Sequence, residues 1–117
     1  MVVEKLIVNY LDNHLDVPVR MFRPESNPNP EMLSYVIVQK VGGSRFNLLR
    51  HATVALQTYA PTAEAAAELM EEVIDQMDQI VAENEISQAD LESGPYPFPL
   101  TASKQPRYQA VYAITHY

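Results

Sequence analysis

The chain has 117 residues, 47% of them hydrophobic, which is the size of a single domain with one core. It contains no cysteine, which excludes a disulfide framework, a thiolate metal site and a cysteine nucleophile. We expect one domain over residues 1–117 that folds in a reducing cytosol, with neither a signal peptide nor a membrane-spanning segment.

The net charge of −7 is unevenly distributed. Residues 1–50 contain five acids and six bases, whereas residues 51–103 contain ten acids and no lysine or arginine. An acidic surface repels phosphate, which argues against nucleic-acid binding as the main activity.

The first quarter of the chain predicts a helix, a strand and a loop. Apolar residues at helical spacing predict a helix over residues 2–15. Residues 17–22 alternate as a strand, and Pro18 favours an edge strand or the start of one. The proline-rich residues 24–30 lack three amide donors, contain many turn-forming residues and predict an exposed loop.

Two strongly β-forming segments follow, residues 33–41 and 53–59, and the ten residues 42–51 between them begin with two glycines. We expect an antiparallel pair joined by a long arm. Connections of this length in compact domains tend to be functional or disordered. The arm is therefore a candidate contact with another subunit, and the alternative is a mobile hairpin tip without a partner.

A second helix is predicted over residues 62–83, with Thr62 as the candidate N-cap. Its polar face carries six acids, none with a base four positions further on, and the simplest interpretation is a solvated face. The acids are Glu64, Glu68, Glu71, Glu72, Asp75 and Asp78.

The C-terminal part combines an irregular segment with a strand. Residues 94–99 alternate prolines with aromatic residues, which excludes regular structure and predicts an extended surface segment. Residues 107–116 alternate as a final strand. The order α-β-β-β-α-β predicts an α+β fold in which two helices pack on one face of a four-stranded, mostly antiparallel sheet.

No catalytic pattern is present. His14, His51 and His116 fall in different predicted elements without metal-ligand spacing. The segment Gly42-Gly43-Ser44-Arg45 fits neither a phosphate loop nor a nucleophile elbow, and acids on one exposed helix face stay ionised. We predict that the protein is not an enzyme and requires no cofactor or metal.

The order of these segments resembles a known family. A strand ending in a basic residue, then Gly42-Gly43-Ser44-Arg45, Asn47-Leu48 and a second strand is similar to the tail terminator (tail-to-head joining) proteins of long-tailed bacteriophages. The Ala/Glu-rich helix and Gln105-Pro106-Arg107-Tyr108 before the last strand match the same pattern. That family commonly has an acidic residue before the second strand, where this chain has Arg50-His51, so no charge pairing is carried over there.

The resemblance implies a subunit of a homo-oligomeric ring, a hexamer, at the head-proximal end of the tail tube. Such a ring stops polymerisation of the major tail tube protein and offers a surface to the head-tail connector protein. DNA would pass through without specific binding. The resemblance thus implies a virion protein that is assembled in the host cytoplasm.

Two sets of residues become candidate sites on this interpretation. The arm and the aromatic segment, which is otherwise a simple connector, are candidates for contacts with other subunits or partners. The acidic face of the second helix is a candidate lining of the lumen, and it is otherwise a solvated outer face. The contact candidates are Gly42, Gly43, Arg45, Phe46, Asn47, Arg50, Tyr96 and Phe98.

Three other functions remain open. A different phage neck component, such as a head-completion protein, shares small size, acidity and ring symmetry, and would bind the portal rather than cap the tube. A stand-alone binding module would be a monomer with an apolar pocket between helices and sheet. An enzyme of unfamiliar type would need convergent titratable groups.

Overall fold

The computed structural model describes residues 3–21, 34–46, 49–82, 85–97 and 106–116. In chain order the elements are α1 (Val3–His14), β1 (Val19–Arg20), β2 (Tyr35–Phe46), β3 (Leu49–Tyr59), α2 (Ala63–Met77), a 3-10 turn (Ile80–Ala82), β4 (Ile86–Pro97) and β5 (Arg107–His116). The fold is α+β, as the sequence predicts.

The strands form one mixed sheet in the order β1-β2-β3-β5-β4. β3 pairs with β5 in an antiparallel manner from Arg50 to Tyr59 without a register shift. β2 and β4 flank this central pair, also antiparallel, but both join it with register shifts. β1 runs parallel to β2 and covers only Val36 and Ile37.

Both helices pack on one face of the sheet, which confirms this part of the predicted architecture. The helices bury one apolar stripe each, and alternate residues of β3 and β5, together with Val36 and Val38 of β2, face them. Each fully buried aliphatic side chain stabilises the fold by about 1.5–3 kcal/mol. The core includes Val3, Ile7, Tyr10, Leu11, Val36, Val38, Ala52, Val54, Leu56, Leu69, Met70, Val73, Met77, Ala110, Tyr112 and Ile114.

The prediction of four strands is wrong, because residues 86–97 form a fifth strand on β5. We expected a polar connection there, followed by an irregular segment from Gly94. β4 lacks apolar alternation because it is an edge strand and most of its side chains are exposed. Its prolines are tolerated because an edge strand leaves one side of its backbone unpaired. Phe98 and Pro99 lie outside the described residues.

The prediction of a ten-residue arm is also wrong. β2 continues to Phe46 and β3 begins at Leu49, and the two residues pair with each other. Only residues 47 and 48, outside the described part, lie between the strands. The glycines sit inside a strand next to a bulge, since the register shifts between Lys40 and Gly42 and leaves Val41 as the extra residue. The arm is thus an extended β-hairpin.

The remaining boundaries differ less. The first predicted strand is reduced to β1, which starts directly after Pro18 and lies at the sheet edge, as a proline favours. Thr62 is confirmed as the N-cap of α2, because its Oγ1 accepts a hydrogen bond of 3.1 Å from the Ala65 amide. α2 ends at Met77 rather than near residue 83. The predicted loop, residues 24–30, lies outside the described residues.

No helix in the described ranges combines the length and apolarity that a membrane crossing needs.

One core side chain carries an unpaired polar group. Tyr112 is fully buried, and its hydroxyl makes no hydrogen bond within the described part of the chain. Burial, together with the nearby charges of Asp78 and Asp75, raises the pKa of Tyr112 from 10.0 to about 12. An unpaired buried hydroxyl costs about 1–3 kcal/mol.

We predict that Tyr112→Phe preserves or increases the free energy of unfolding near neutral pH. In the wild type the folded pKa exceeds the unfolded one, so the unfolded chain loses its proton first as the pH rises. This tyrosine therefore makes wild-type stability fall between about pH 10 and 12, and the variant lacks that contribution. Urea unfolding at neutral and alkaline pH measures both effects.

Tyr108→Phe, on the same strand and partly buried against the same core, is the control for general alkaline effects. A Tyr112→Phe protein that is less stable than wild type at neutral pH, or that loses stability identically at alkaline pH, contradicts this account.

Candidate functional site

The β2–β3 hairpin is the first candidate surface. It contains Lys40, Arg45 and Arg50 and no acid between them. Residues 39–43 are exposed, and Val41 is 56% exposed although it is a large apolar side chain. The hairpin therefore presents both positive charge and apolar surface.

The glycines of the hairpin serve close packing of neighbouring chain segments. A Cβ on Gly43 would lie 3.0 Å from the His51 carbonyl oxygen and 3.0 Å from Cε of Lys40. At Gly42 the nearest atom would be Cβ of Thr53 at 3.8 Å, an ordinary contact. Gly43 thus allows the Lys40 stem to lie across the backbone, whereas Gly42 lacks such a constraint.

The other predicted contact residues of the hairpin are Arg45, Phe46, Asn47 and Arg50. Arg45 pairs with Arg50 across the strands, and Phe46 pairs with Leu49. Arg50 is half-buried and also pairs with His116 of β5. The side chains of Arg45 and Phe46, and the whole of Asn47, lie outside the described part of the structure.

The acidic face of α2 is the second candidate surface. All six predicted acids of this face are exposed. None of them forms an ion pair within the described residues, where Arg20 and Asp12 form the one salt bridge, at 3.6 Å. The face therefore carries uncompensated negative charge in the single chain, and neighbouring acids at helical spacing repel one another.

Sequence reasoning missed a polar network on the sheet face opposite the helices. Arg107 Nη1 donates to the Tyr59 hydroxyl at 3.0 Å, and that hydroxyl donates to Gln57 Oε1 at 3.3 Å. Gln57 Nε2 donates to Gln109 Oε1 at 2.8 Å, and Gln109 Nε2 donates to the Tyr96 hydroxyl at 2.7 Å. The network links three strands.

This network follows from register. Tyr59 pairs directly with Arg107, and Gln109 pairs with both Gln57 and Tyr96. Directly opposed side chains interact most strongly in a sheet. The sequence signal for this network is weak: β3 and β5 each carry two polar or aromatic residues two positions apart. This spacing becomes informative only once the register of the two strands is known.

Aromatic stacking extends the network to β2. The rings of Tyr35 and Tyr59 stack at 4.6 Å between centroids, and the Arg107 guanidinium lies 5.7 Å from the Tyr59 ring centroid. Tyr35, Tyr59 and Arg107 are all buried. Because its four hydrogen bonds connect side chains of three strands, the network favours a rigid sheet face.

Tyr96, a predicted partner contact, belongs to this network. It is half-buried, and its hydroxyl accepts the hydrogen bond from Gln109. The side chain is thus oriented by its own chain, and contact with another subunit remains a prediction.

The histidines are not brought together. His14 Nδ1 lies 2.7 Å from the Tyr10 carbonyl oxygen, His51 Nδ1 lies 3.2 Å from Thr115 Oγ1, and His116 is buried at the end of β5. Across the described ranges, no three histidine or carboxylate side chains converge in a way that could hold a metal ion.

Two of the cavities lined by described residues are open to the surface. One is a trough of about 400 Å³ over β3 and β5, lined by His51, Thr53, Thr115 and residues of the flanking strands. The other, about 190 Å³, lies between the end of α1 and α2, next to His14 and Glu72. The binding-module interpretation placed a pocket between the helices and the sheet, and neither of these two cavities is lined by both.

No protein-family model matches the chain, and no curated protein matches it.

We predict that Tyr59→Phe lowers the free energy of unfolding by about 1–3 kcal/mol, because it removes the acceptor of the Arg107 bond and the donor to Gln57. Tyr96→Phe is the matched control: it removes one acceptor from a half-buried position, and we expect a loss of about 0.5–1.5 kcal/mol. Urea unfolding followed by circular dichroism compares the two. Equal losses would show that the central tyrosine has no special role.

Proposed function

We propose that this protein is a ring-forming assembly subunit that acts as a phage tail terminator. The observation that carries the proposal is the separation of charge within one small chain. The hairpin carries three bases without an acid, and the exposed face of α2 carries six acids without an ion pair in the described residues. Separated charges of opposite sign on copies of one chain steer the copies toward one another.

The charge separation supports contacts between different surfaces of successive copies. A contact of one surface with a different surface on the next copy is heterologous, and such contacts close into rings when the rotation fits. A small chain without a metal-ligand cluster in its described part, but with uncompensated surface charge, suits assembly better than chemistry. The resemblance adds the specific role.

In this role the ring, a hexamer, caps the head-proximal end of the tail tube. It stops polymerisation of the major tail tube protein and presents its other side to the head-tail connector protein. The acidic face of α2 suits a ring through which DNA passes, because carboxylates repel phosphate and hold no DNA. The subunit assembles in the host cytoplasm and remains in the virion.

The first test is the mass of the purified protein by light scattering, alone and with tail tube protein from the same phage. We expect a ring of defined mass, and tubes whose lengths stop increasing once the protein is added, measured by electron microscopy. A monomer that neither binds tubes nor limits their growth overturns the proposal. Binding to the portal without capping the tube would instead identify a head-completion protein.

We predict that Arg45→Glu weakens assembly, since it reverses a charge on the basic hairpin. The expected change is about tenfold in the midpoint concentration of assembly, which corresponds to about 1.4 kcal/mol. Lys5→Glu, the same charge change at an exposed position of α1, is the control and leaves the midpoint unchanged. Equal effects of the two variants would assign the loss to net charge and remove the hairpin from the interface.

A further inference from the structure

Among the described residues, the sheet has two open edges, at its opposite sides. β1 pairs only with Val36 and Ile37, so residues 38–46 of β2 have no strand beside them within the described part of the chain. β4 is the other edge. At about 3.3 Å per residue, the open part of β2 is about 30 Å long. Open edges are templates for pairing with another chain.

Both edges carry exposed apolar side chains. Three large hydrophobic residues of the described chain are exposed: Val41, Leu91 and Val81. Val41 is the bulged residue of β2, and Leu91 lies in the middle of β4, 41% exposed. Val81 belongs to the 3-10 turn that packs against β4. The exposed apolar surface is therefore concentrated at the two edges.

The charges of the two edges are complementary. β2 contains Lys40 and Arg45 and no acid, whereas β4 contains Asp90 and Glu92 and no base. Lys40, Asp90 and Glu92 are all exposed. Each edge repels a copy of itself and attracts the other, which disfavours symmetric edge-to-edge pairing and favours pairing of unlike edges.

Strand direction permits this pairing. β2 is antiparallel to β3, β3 to β5, and β5 to β4, so β2 and β4 run in opposite directions. A second copy that joins in the same orientation therefore pairs in an antiparallel manner, and its helices stay on the same side of the extended sheet. The contact is heterologous and repeats from copy to copy.

We infer that β4 of one copy adds to the open edge of β2 in the next, so that the sheet continues across the subunits of the assembly. This inference rests on the proposed self-association and names its interface. The occupant is a second copy of the chain, selected by the opposite charges of the two strands: Asp90 and Glu92 in β4, Lys40 and Arg45 in β2. Register shifts in both edges, at Val41 and along β4, restrict the pairing to short stretches.

A charge-reversal experiment tests the pairing. Lys40→Glu and Glu92→Lys each place like charges on both edges, and we expect each variant alone to raise the midpoint concentration of assembly at least about tenfold in sedimentation velocity. An equimolar mixture restores assembly to within about threefold of wild type. In the mixture the β2 edge of the Lys40→Glu protein pairs with the β4 edge of the Glu92→Lys protein. The other two edges keep their wild-type charges and pair with each other.

Asp75→Lys on the exposed face of α2 makes the same charge change away from both edges, and it is the matched control. We expect it to leave the midpoint within about threefold of wild type. A large effect of Asp75→Lys would assign the hairpin to the helix face of the next copy and overturn strand pairing. The absence of rescue in the mixture would overturn strand pairing as well.

Thiol cross-linking locates the contact directly, because the wild-type chain has no cysteine. We expect a mixture of Val41→Cys and Leu91→Cys proteins to form a mixed dimer with a short bismaleimide. A mixture of Val41→Cys and Glu68→Cys proteins, the latter on the exposed face of α2, should not. The opposite pattern overturns the inference.

The outcomes separate this inference from the proposed function. If the protein forms rings that cap tail tubes and neither edge reversal changes the midpoint of assembly, the terminator proposal stands and the strand pairing is overturned. Assembly through the two edges without any effect on tube length supports the pairing and overturns the terminator role. A wild-type protein that stays monomeric up to its solubility limit and gives no cross-link overturns the pairing, while the tube-length assay still decides the function.

Discussion

The continuous pairing of β3 with β5 is the interaction on which the rest of the structure depends. Because it runs from Arg50 to Tyr59 without a shift, the same register aligns both faces of the sheet. On one face it places Val54 beside Tyr112 beneath the helices. On the other it places Tyr59 opposite Arg107, so that the polar network forms. A slip of one residue would exchange the two faces and destroy both.

This dependence explains which features the sequence could predict. The two helices and β5 have a strong apolar period of their own, and the cap at Thr62 is a local hydrogen bond, so all of them can be inferred without the partner strands. β4 has no such period, because Asp90 and Glu92 are exposed at an edge and the strand is defined by its pairing with β5. The glycines at 42 and 43 resemble a loop start in sequence, yet they lie in a strand beside a bulge.

The candidate surfaces likewise have features that the sequence could predict and features that it could not. Charge can be read from sequence, so the acids of α2 and the bases of the hairpin were found before the structure. Pro18 indicated one edge strand, but the edge positions of β2 and β4 were not predicted. An edge is a property of strand order, and the order β1-β2-β3-β5-β4 depends on contacts distant in the chain. The sequence interpretation assigned the hairpin to a loop contact. In the structure the hairpin lies in the sheet, and among the described residues its strand β2 has no neighbouring strand on one side beyond Ile37.

Two open edges on one sheet would ordinarily be a hazard, since unlike edges that pair without limit produce fibres. The irregularities of β2 and β4 act against that outcome. A bulge bends a strand and increases its twist, and both edges contain register shifts. Each copy would therefore join the next at an angle, and a constant angle between identical subunits leads to a closed ring when the turns add up to a full circle. In the proposed assembly the bulge at Val41 and the shifts of β4 would thus both limit pairing and supply the curvature that a ring requires.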